Sequence, residues 1–551
     1  MLFFWFYYKT KYNITYMIYR NFVKYCLSNG GIIIPLAFHS DDMDGTGLCN
    51  PSILRIGDKI KVIIRNVNFM LWKNEIEDKF TDVYGPLCYI TEDKDVRLKT
   101  INFIGDLSNN GVENVVKIDT SKCDTEPKWD FIGHEDGRLV NWDNKIYITG
   151  VRRDTNDIGK GRMELSELDP ETFAEISRVR IESPRSEEEY CEKNWMPILD
   201  MPYHYIRWCN PLEIVKVDPV TGQSEIVVKK EYNQSIENLN FNEMSIRGSS
   251  QVITIGNYRI AIVHRCELWS NEKKQKSQAR YINNFIVWDK EWNIVKISKT
   301  FNFGDFDVEF TVGLMYEDGK YYIPFALQDN IAFVLCVGEK TVNDFIFKDY
   351  FGNSNYALSG NKLLHFFDNT KDSYACKDLA DVYFNNNLYA PAMVLYQRAA
   401  MYNTFFRLEE CYQAMYMTGH CMELAGDRRR HLVKIWTSMI DLLPYRSEAY
   451  YLLGRYYLDA GLLPEAYMFT TMAKRMNNFG DLGEFSNINK FDMDILYIQA
   501  LYGSERYLEC EGYIDKLITT NRETIPNNRL EEIIRLQMVI NQAKSNKKRI
   551  L

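Results

Sequence analysis

Residues 137–151, GRLVNWDNKIYITGV, read as an apolar run, a tight turn at Asp143-Asn144, and a second apolar run. That is the form of a β-hairpin, since Asn and Asp tolerate the backbone a two-residue turn demands. Four further stretches repeat it: PSILRIGDKIKVIIR (51–65), LEIVKVDPVTGQSEIVV (212–228), QVITIGNYRIAIVH (251–264) and VGLMYEDGKYYIPFAL (312–327). Between roughly residues 32 and 337 the chain is short β-rich runs broken by polar turns. Hairpins recurring at wide spacing point to blades arranged around an axis, an arrangement that leaves few bare sheet edges. On pattern alone a β-sandwich is the alternative.

After about Asp372 the period becomes helical. Leu379, Ala380, Tyr383, Ala392, Tyr396 and Ala399 fit one tetratricopeptide register, and Tyr450, Leu453, Gly454, Tyr457, Ala466 and Ala473 fit another, with Pro444 closing the repeat before it. Small residues at fixed positions let two helices approach closely, and large ones fill the groove between them. Residues 409–443 read as a degenerate repeat around Gly419, and 492–542 as further capping helices. The expected organisation is therefore multidomain β + α: an N-terminal extension (1–30), a β-propeller (31–350), a linker (351–371) and tetratricopeptide-like helical repeats (372–545).

The bulk properties exclude several function classes. With 66 Lys and Arg against 75 Asp and Glu, the net charge is −9, and a nucleic-acid binder would carry a basic stripe instead. The two short basic runs, Arg428 to Arg430 and Lys547 to Arg549, read as solvated faces. The 12 Cys form no CxxC pair, so neither a zinc site nor a redox motif is expected, and reduced thiols in a cytoplasmic protein are the simplest account. The opening MLFFWFYY is too short to span a bilayer, and no stable membrane insertion is expected. Aromatic residues make up 14% of the chain, which suits strand packing and also carbohydrate binding.

The densest polar constellation lies in FIGHEDGRLVNWDNKIYITGVRRDTNDIGKGRMEL (131–165). Glu135, Asp136 and Arg138 precede one strand, and Arg152 and Arg153 end its hairpin partner. In a propeller the starts of inner strands crowd around the axis, so these groups can converge there. A carboxylic acid beside a glycosidic oxygen can protonate a leaving group, and paired guanidinium N–H groups can hold a phosphate. A structural ion-pair network explains the same residues equally well.

GHEDGRL (133–139) resembles the Glu-Asp-Pro-Arg signature of family-130 glycoside phosphorylases and hydrolases, five-bladed propellers acting mainly on β-mannosides. CNPSIL (49–54) followed by Arg65 resembles that family's first inner strand. SIRGSSQVITIGNYRIAIVHR (245–265) is similar to its basic, Gly-rich stretch ending in Tyr-His-Gly, and DVEFTVGLMYEDGKYYIPFALQDN (307–330) resembles the last blade. The resemblance implies Asp136 as general acid, Arg152 or Arg153 with Arg247 and His264 as phosphate ligands, and Asn50 and Arg65 as sugar contacts. Glu135, Arg138 and Glu309 are further substrate-binding candidates, as are Lys193 and Asn194, in YCEKNWMPI (190–198), by their polar character. Gly137 stands where the signature has Pro, Val263 where it has Tyr, Arg265 where it has Gly, and Gly248-Ser249-Ser250 where it has Gly-Pro-Pro. LLPYRSEAYYLLGRYYLDAGLLPEAYMF (442–469) resembles repeats appended to glycosyltransferases.

The expected function is thus a carbohydrate-active enzyme, a glycoside phosphorylase or hydrolase, with no cofactor and inorganic phosphate as a possible co-substrate. Phosphorolysis needs one acid, because phosphate is already a nucleophile. An inverting hydrolase needs a second carboxylate about 6.5–9.5 Å away, for which Asp41, Asp42, Asp44 and Glu309 are candidates. The alternative is a non-catalytic glycan-binding or scaffold protein. In either case the expected partners are an oligosaccharide or glycoconjugate at the propeller and a protein at the repeats. His39 and His204 lack metal-ligand spacing, and Trp195 and Trp208 read as core before sugar platforms.

Overall fold

The computed structural model describes residues 18–71, 89–185, 191–232, 246–269, 278–348, 360–403, 407–426, 428–478, 488, 490–522 and 524–550. Five antiparallel sheets follow one another along the first part of the chain, each with its inner strand first. Blade 1 runs Gly47–Ile56, Lys59–Val67, Leu98–Ser108, Gly111–Lys117; blade 2 runs Glu135–Trp142, Lys145–Arg152, Arg162–Leu168, Glu175–Arg180. Blade 3 is Met196–Pro197, His204–Cys209, Leu212–Val217 and Ser224–Lys230, and blade 4 is Ile246–Gly248 with Ile253–Ile255, then Tyr258–Trp269, Gln278–Trp288 and Ile294–Ile297. Blade 5 takes Glu309–Phe310 with Met315–Glu317, then Lys320–Leu327 and Ile331–Gly338, and borrows Ile32–Pro35 from the chain's start as its outer strand. Ile34 pairs with Val334, so the ring closes by joining its first strand to its last. This is a five-bladed β-propeller.

The hairpins quoted above are inner pairs in blades 1, 2, 4 and 5, but residues 212–228 form the outer pair of blade 3. The reason is local: blade 3 has only the two-residue inner strand Met196–Pro197, too short to print a pattern. Apolar clusters fill the spaces between successive blades. Val140, Trp142 and Tyr147 of blade 2 pack on Tyr205 and Val215 of blade 3, for example, with Trp195 between them. Trp195 is core and donates its indole N–H to Glu192 at 2.9 Å.

Gln251 ties the ring at its axis. Its amide nitrogen donates to Ser52 Oγ (3.1 Å), Ile53 O (3.1 Å) and Leu139 O (2.8 Å), and its amide oxygen accepts from Leu314 N (2.8 Å). One fully buried side chain from blade 4 thereby joins the inner strands of blades 1, 2 and 5. Blade 3 is held by backbone, Val252 N donating to Pro197 O at 2.9 Å. Gly313 permits the fit beside this tie, since a Cβ there would come within 2.4 Å of the Pro324 ring and 3.0 Å of Ser52 Cα.

The described residues of the segments read as extension (18–30) and linker (360–371) are built into the same compact unit as the blades. Phe22–Ser28 is a helix whose Phe22 is buried, with ring centroids 4.6 Å from both Phe301 and Phe345. Lys362–Asp368 is another, burying Phe366 and Phe367, the latter against Phe333. Much of the aromatic excess is this packing. MLFFWFYY lies outside the described residues, and no described helix is long and apolar enough to cross a membrane.

The second unit comprises residues 372–377 and 395–551. It contains the helical pairs Leu408–Leu424 with Arg429–Leu442, Glu448–Asp459 with Leu463–Met476, and Lys490–Gly503 with Tyr507–Asn521, followed by Asn527–Ile550. These are helix-turn-helix repeats with the expected close approaches. A Cβ on Gly454 would meet Thr470 Cγ2 at 2.6 Å, and one on Gly419 would meet Trp436 at 3.1 Å. Arg428 is buried and donates to Ala425 O, which corrects its reading as part of a solvated face. The side chains of Lys547 to Arg549 fall outside the described set.

Replacing Gln251 with Leu should orphan a buried amide N–H and two buried carbonyls in three blades. At about 1–3 kcal/mol per unsatisfied group, the variant should lose roughly 3 kcal/mol or more in urea unfolding monitored by tryptophan fluorescence.

Candidate functional site

The starts of the inner strands and the ends of their hairpin partners meet at one mouth, two or three residues before the Gln251 tie. Two β-bulges aim side chains into it. In blade 1 the register slips between Cys49 and Ser52, and Asn50 sits there at φ 45°. In blade 2 it slips opposite Thr149 and Val151, and Asp136 sits at φ 54°. An extra residue of this kind re-aims its neighbours, and Asn and Asp bear the left-handed backbone better than most. Gly150 makes the second bulge possible, because a Cβ there would lie 2.4 Å from Glu135 O. Asn194 (φ 64°), just before blade 3, and Asp329 (φ 50°), in the turn after blade 5's second strand, share the conformation. Left-handed non-glycine residues gathered at one place are a mark of a functional site.

Arg65, at the end of blade 1's second strand, organises the acidic side. Its Nη1 lies 2.8 Å from Asp136 Oδ1 and its Nη2 3.6 Å from Glu135 Oε2. Asn50 Nδ2 donates to the same Asp136 oxygen at 2.8 Å. Burial pushes the Asp136 carboxyl up, but Arg65, then Arg138, the Asn50 hydrogen bond and Lys193 outweigh it and hold the carboxyl below the usual range. Asp329 behaves oppositely. Burial, with Asp136 and Glu135 as negative neighbours, pushes it up to about 6 against the opposing pull of Arg65 and of Asn50, whose amide also reaches it.

The basic side faces it. Arg138 is fully buried and donates to Asp136 O (2.7 Å) and Ser249 O (2.9 Å). Ser249 Oγ lies 2.8 Å from His264 Nδ1, and the His264 ring stacks on Tyr281. Arg247 pairs in register with His264. Burial, and then the charges of Arg247, Lys193 and Arg138, push His264 down to about 3, so it is a neutral imidazole at physiological pH. Its sensing of those three cations and of Asp136 places all five in one electrostatic neighbourhood. Among the described residues, four buried polar atoms at the mouth have no hydrogen-bond partner: Arg138 Nη2, Asn50 Oδ1, Asn194 Oδ1 and Glu135 Oε1. Such atoms need an explanation, and a polar ligand supplies one.

Other expected residues do different work. Arg152 is clamped by Asp154 (2.8 Å) and Asp124 (2.9 Å), which makes it part of an ion-pair network and corrects its expected phosphate role. Arg153 donates to Gly159 O at 3.2 Å and lies over the Phe131 ring, while its charge bears with that of Lys193 on Cys191 at the mouth's edge. Glu309 is fully buried and accepts from the backbone N–H groups of Phe303, Gly304 and Phe306. It fastens a loop and cannot serve as substrate contact or second carboxylate. Asp41 and Asp42 are exposed, and Asp44 pairs with Lys99 at 3.3 Å. His204 bonds Pro202 O, and Trp208 lies under Arg207.

Sequence reasoning missed Asp329, Ser249 and Tyr281. A usable signal for Asp329 existed: its turn ends a second strand, as Arg65 and Arg152 do, and those ends face the mouth.

No protein-family model and no curated protein matches the chain. Solved structures similar to it include a mannose phosphorylase, MPT-4 of Leishmania mexicana, at 15% identity, TM-score 0.33, over 57% of this chain and 91% of that one. A β-1,2-mannobiose phosphorylase of Listeria innocua is 12% identical, TM-score 0.35, over 57% and 96%. A tetratricopeptide protein with a peptide-binding site, YrrB, is 12% identical, TM-score 0.25, over 34% and 98%. At these values the likenesses lend no weight to substrate or mechanism.

Arg65→Met should leave the mouth's carboxylates without their nearest cation and cost about 3–5 kcal/mol at pH 7, as breaking a buried pair does. Because the Asp136 carboxyl is held low, its contribution is complete above the unfolded value of about 4 and is lost as pH falls through the folded value. The gap between variant and parent in denaturant unfolding should therefore narrow between pH 5 and pH 3.

Proposed function

We propose that the propeller mouth cleaves glycosidic bonds, with β-mannoside-type oligosaccharides as the substrate class and inorganic phosphate as the attacking group. The observation that carries this reading is the division of one mouth into two sides. Asn50, Arg65, Glu135 and Asp136 offer a sugar the hydroxyl-binding mixture of carboxylate, amide and guanidinium groups. Arg138, Lys193, Arg247 and the neutral His264 offer an anion three cations and an imidazole hydrogen bond. Arg138 Nη2, buried and without a partner among the described residues, suits a phosphate oxygen, because guanidinium-to-phosphate bonds are among the stronger ones.

Phosphate held on that side attacks the anomeric carbon while the leaving oxygen departs from the opposite face, so configuration inverts. Asp136, fixed by Arg65 and Asn50, is the general acid of this reading, its proton reaching the leaving oxygen directly or relayed through a sugar hydroxyl. Glu309 is committed to its loop, and the cations Arg138, Lys193 and Arg247 around His264 are what favour phosphorolysis over hydrolysis. The helical repeats favour an accompanying role: a protein partner bound there would bring the propeller to a glycan-processing complex.

A panel of β-linked mannobioses incubated with and without inorganic phosphate tests the reading. Phosphate-dependent release of an α-sugar 1-phosphate is expected. Arg247→Ala should raise KM for phosphate by about tenfold or more with a smaller change in kcat, since a lost charge-assisted contact is worth about 1.5–3 kcal/mol. Turnover indifferent to phosphate would sink the phosphorylase reading.

A further inference from the structure

Resting on the phosphate-dependent reading above, we propose that Ser249 is a positioning residue for the anion side of the mouth. Its hydroxyl fixes His264 in the tautomer that carries the ring proton on Nε2, and that N–H is the one offered to phosphate. Ser249 is fully buried, and its Oγ lies 2.8 Å from His264 Nδ1. His264 is buried too, and among the described residues its other ring nitrogen makes no hydrogen bond.

The surrounding rings settle only half of the imidazole's orientation. Tyr281 stacks on His264 with centroids 5.2 Å apart, and Phe310 of blade 5 meets it edge-on at 4.9 Å. Two such contacts fix the plane of the ring. They leave a half-turn about the Cβ–Cγ bond open, which exchanges each nitrogen with a carbon in the same plane. A hydrogen bond to one nitrogen closes that choice, and Ser249 supplies it.

The same bond places the proton. A serine hydroxyl has one hydrogen to give and two lone pairs. Among the described residues this hydroxyl has His264 Nδ1 as its one partner. Were Nδ1 protonated, the hydroxyl hydrogen would be buried with nothing to accept it, which is the costly arrangement. With the hydroxyl donating, Nδ1 is the acceptor and the ring's own proton belongs on Nε2. Burial disfavours a second ring proton, as do Arg247 on the paired strand, Lys193 before blade 3 and Arg138 of blade 2, with Asp136 opposing them.

Ser249 and Ser250 occupy the two positions where the resembled signature has Pro, a residue with no hydroxyl, and they divide the work. Ser250 Oγ donates to Gln251 O at 2.7 Å and accepts from Ile262 N at 2.9 Å, bracing the axis. Ser249 serves the mouth twice, since its backbone oxygen accepts from Arg138 Nε at 2.9 Å. That backbone bond is independent of the hydroxyl, so Ser249→Ala removes one contact and keeps the other.

Two measurements on the full chain test this. In nitrogen-15 spectra of histidine-labelled protein at pH 7.5, the His264 signal is assigned by its loss in His264→Gln. The proton is expected on Nε2, and added inorganic phosphate should shift that N–H signal. In turnover on a mannobiose, Ser249→Ala should raise KM for phosphate about fivefold with a smaller change in kcat, the loss of one neutral hydrogen bond. A proton found on Nδ1 overturns the inference and leaves the enzyme reading standing wherever turnover still depends on phosphate. So does an Nε2–H signal that saturating phosphate leaves unmoved in a protein that turns over, or a Ser249→Ala variant whose KM for phosphate is unchanged. If the parent shows no phosphate-dependent turnover and phosphate moves no histidine signal, the enzyme reading fails and takes this role of Ser249 with it.

Discussion

A single amide, Gln251, holds the axis on which the rest of the propeller depends. Sheets packed face to face by apolar contact can slide, because that attraction has no direction. Hydrogen bonds from one side chain to Ser52, Ile53, Leu139 and Leu314 fix the inner strands of four blades at one height. Ser52 Oγ accepts from Leu139 N as well, so each bonded group is satisfied within the same small network. Buried networks are costly when partly met and specifying when fully met. Since Asn50, Asp136 and Ser249 lie only two or three residues from these anchors, the mouth inherits their registration.

The mouth's chemistry follows from an imbalance. Arg65 is one cation among Glu135, Asp136 and Asp329, and it sits within 2.8 Å of Asp136. Whichever carboxyl it serves best is ionised, and the others feel the remaining negative charge at short range in a poorly solvated place. On the opposite side the ratio reverses, with Arg138, Lys193 and Arg247 around a neutral His264.

The legible parts of the sequence were those written in local signals. Four inner hairpins announced themselves through turn residues between apolar runs, and the repeats through small residues at fixed spacing. Blade 3 hid its inner strand because two residues carry no period. The outer strand of blade 5 was illegible because Ile32–Pro35 pairs with residues far along the chain. The site divides in the same way. Glu135, Asp136 and Arg138 stood out as a dense polar run at a strand start. Arg152 looked equal to Arg153 until Asp124 and Asp154 were seen to claim it, and Glu309 looked available until three backbone amides did. Such partners are chosen by the fold, and the run of residues around each side chain does not name them.

Ring closure has a consequence for how the chain must be made. The edge of blade 5 that Ile32–Pro35 covers does not exist until Phe333–Cys336 has been synthesised. Until then the early strand has no mate, and blades 1 to 4 form an open arc with two raw flanks. Gln251 likewise cannot complete its bonds before Leu314 arrives. The propeller is therefore finished late and all at once, like a belt whose buckle is the first thing threaded and the last thing fastened. Any truncation on the near side of that final pairing would leave an unfastened arc with adhesive edges, and a smaller working ring would not result.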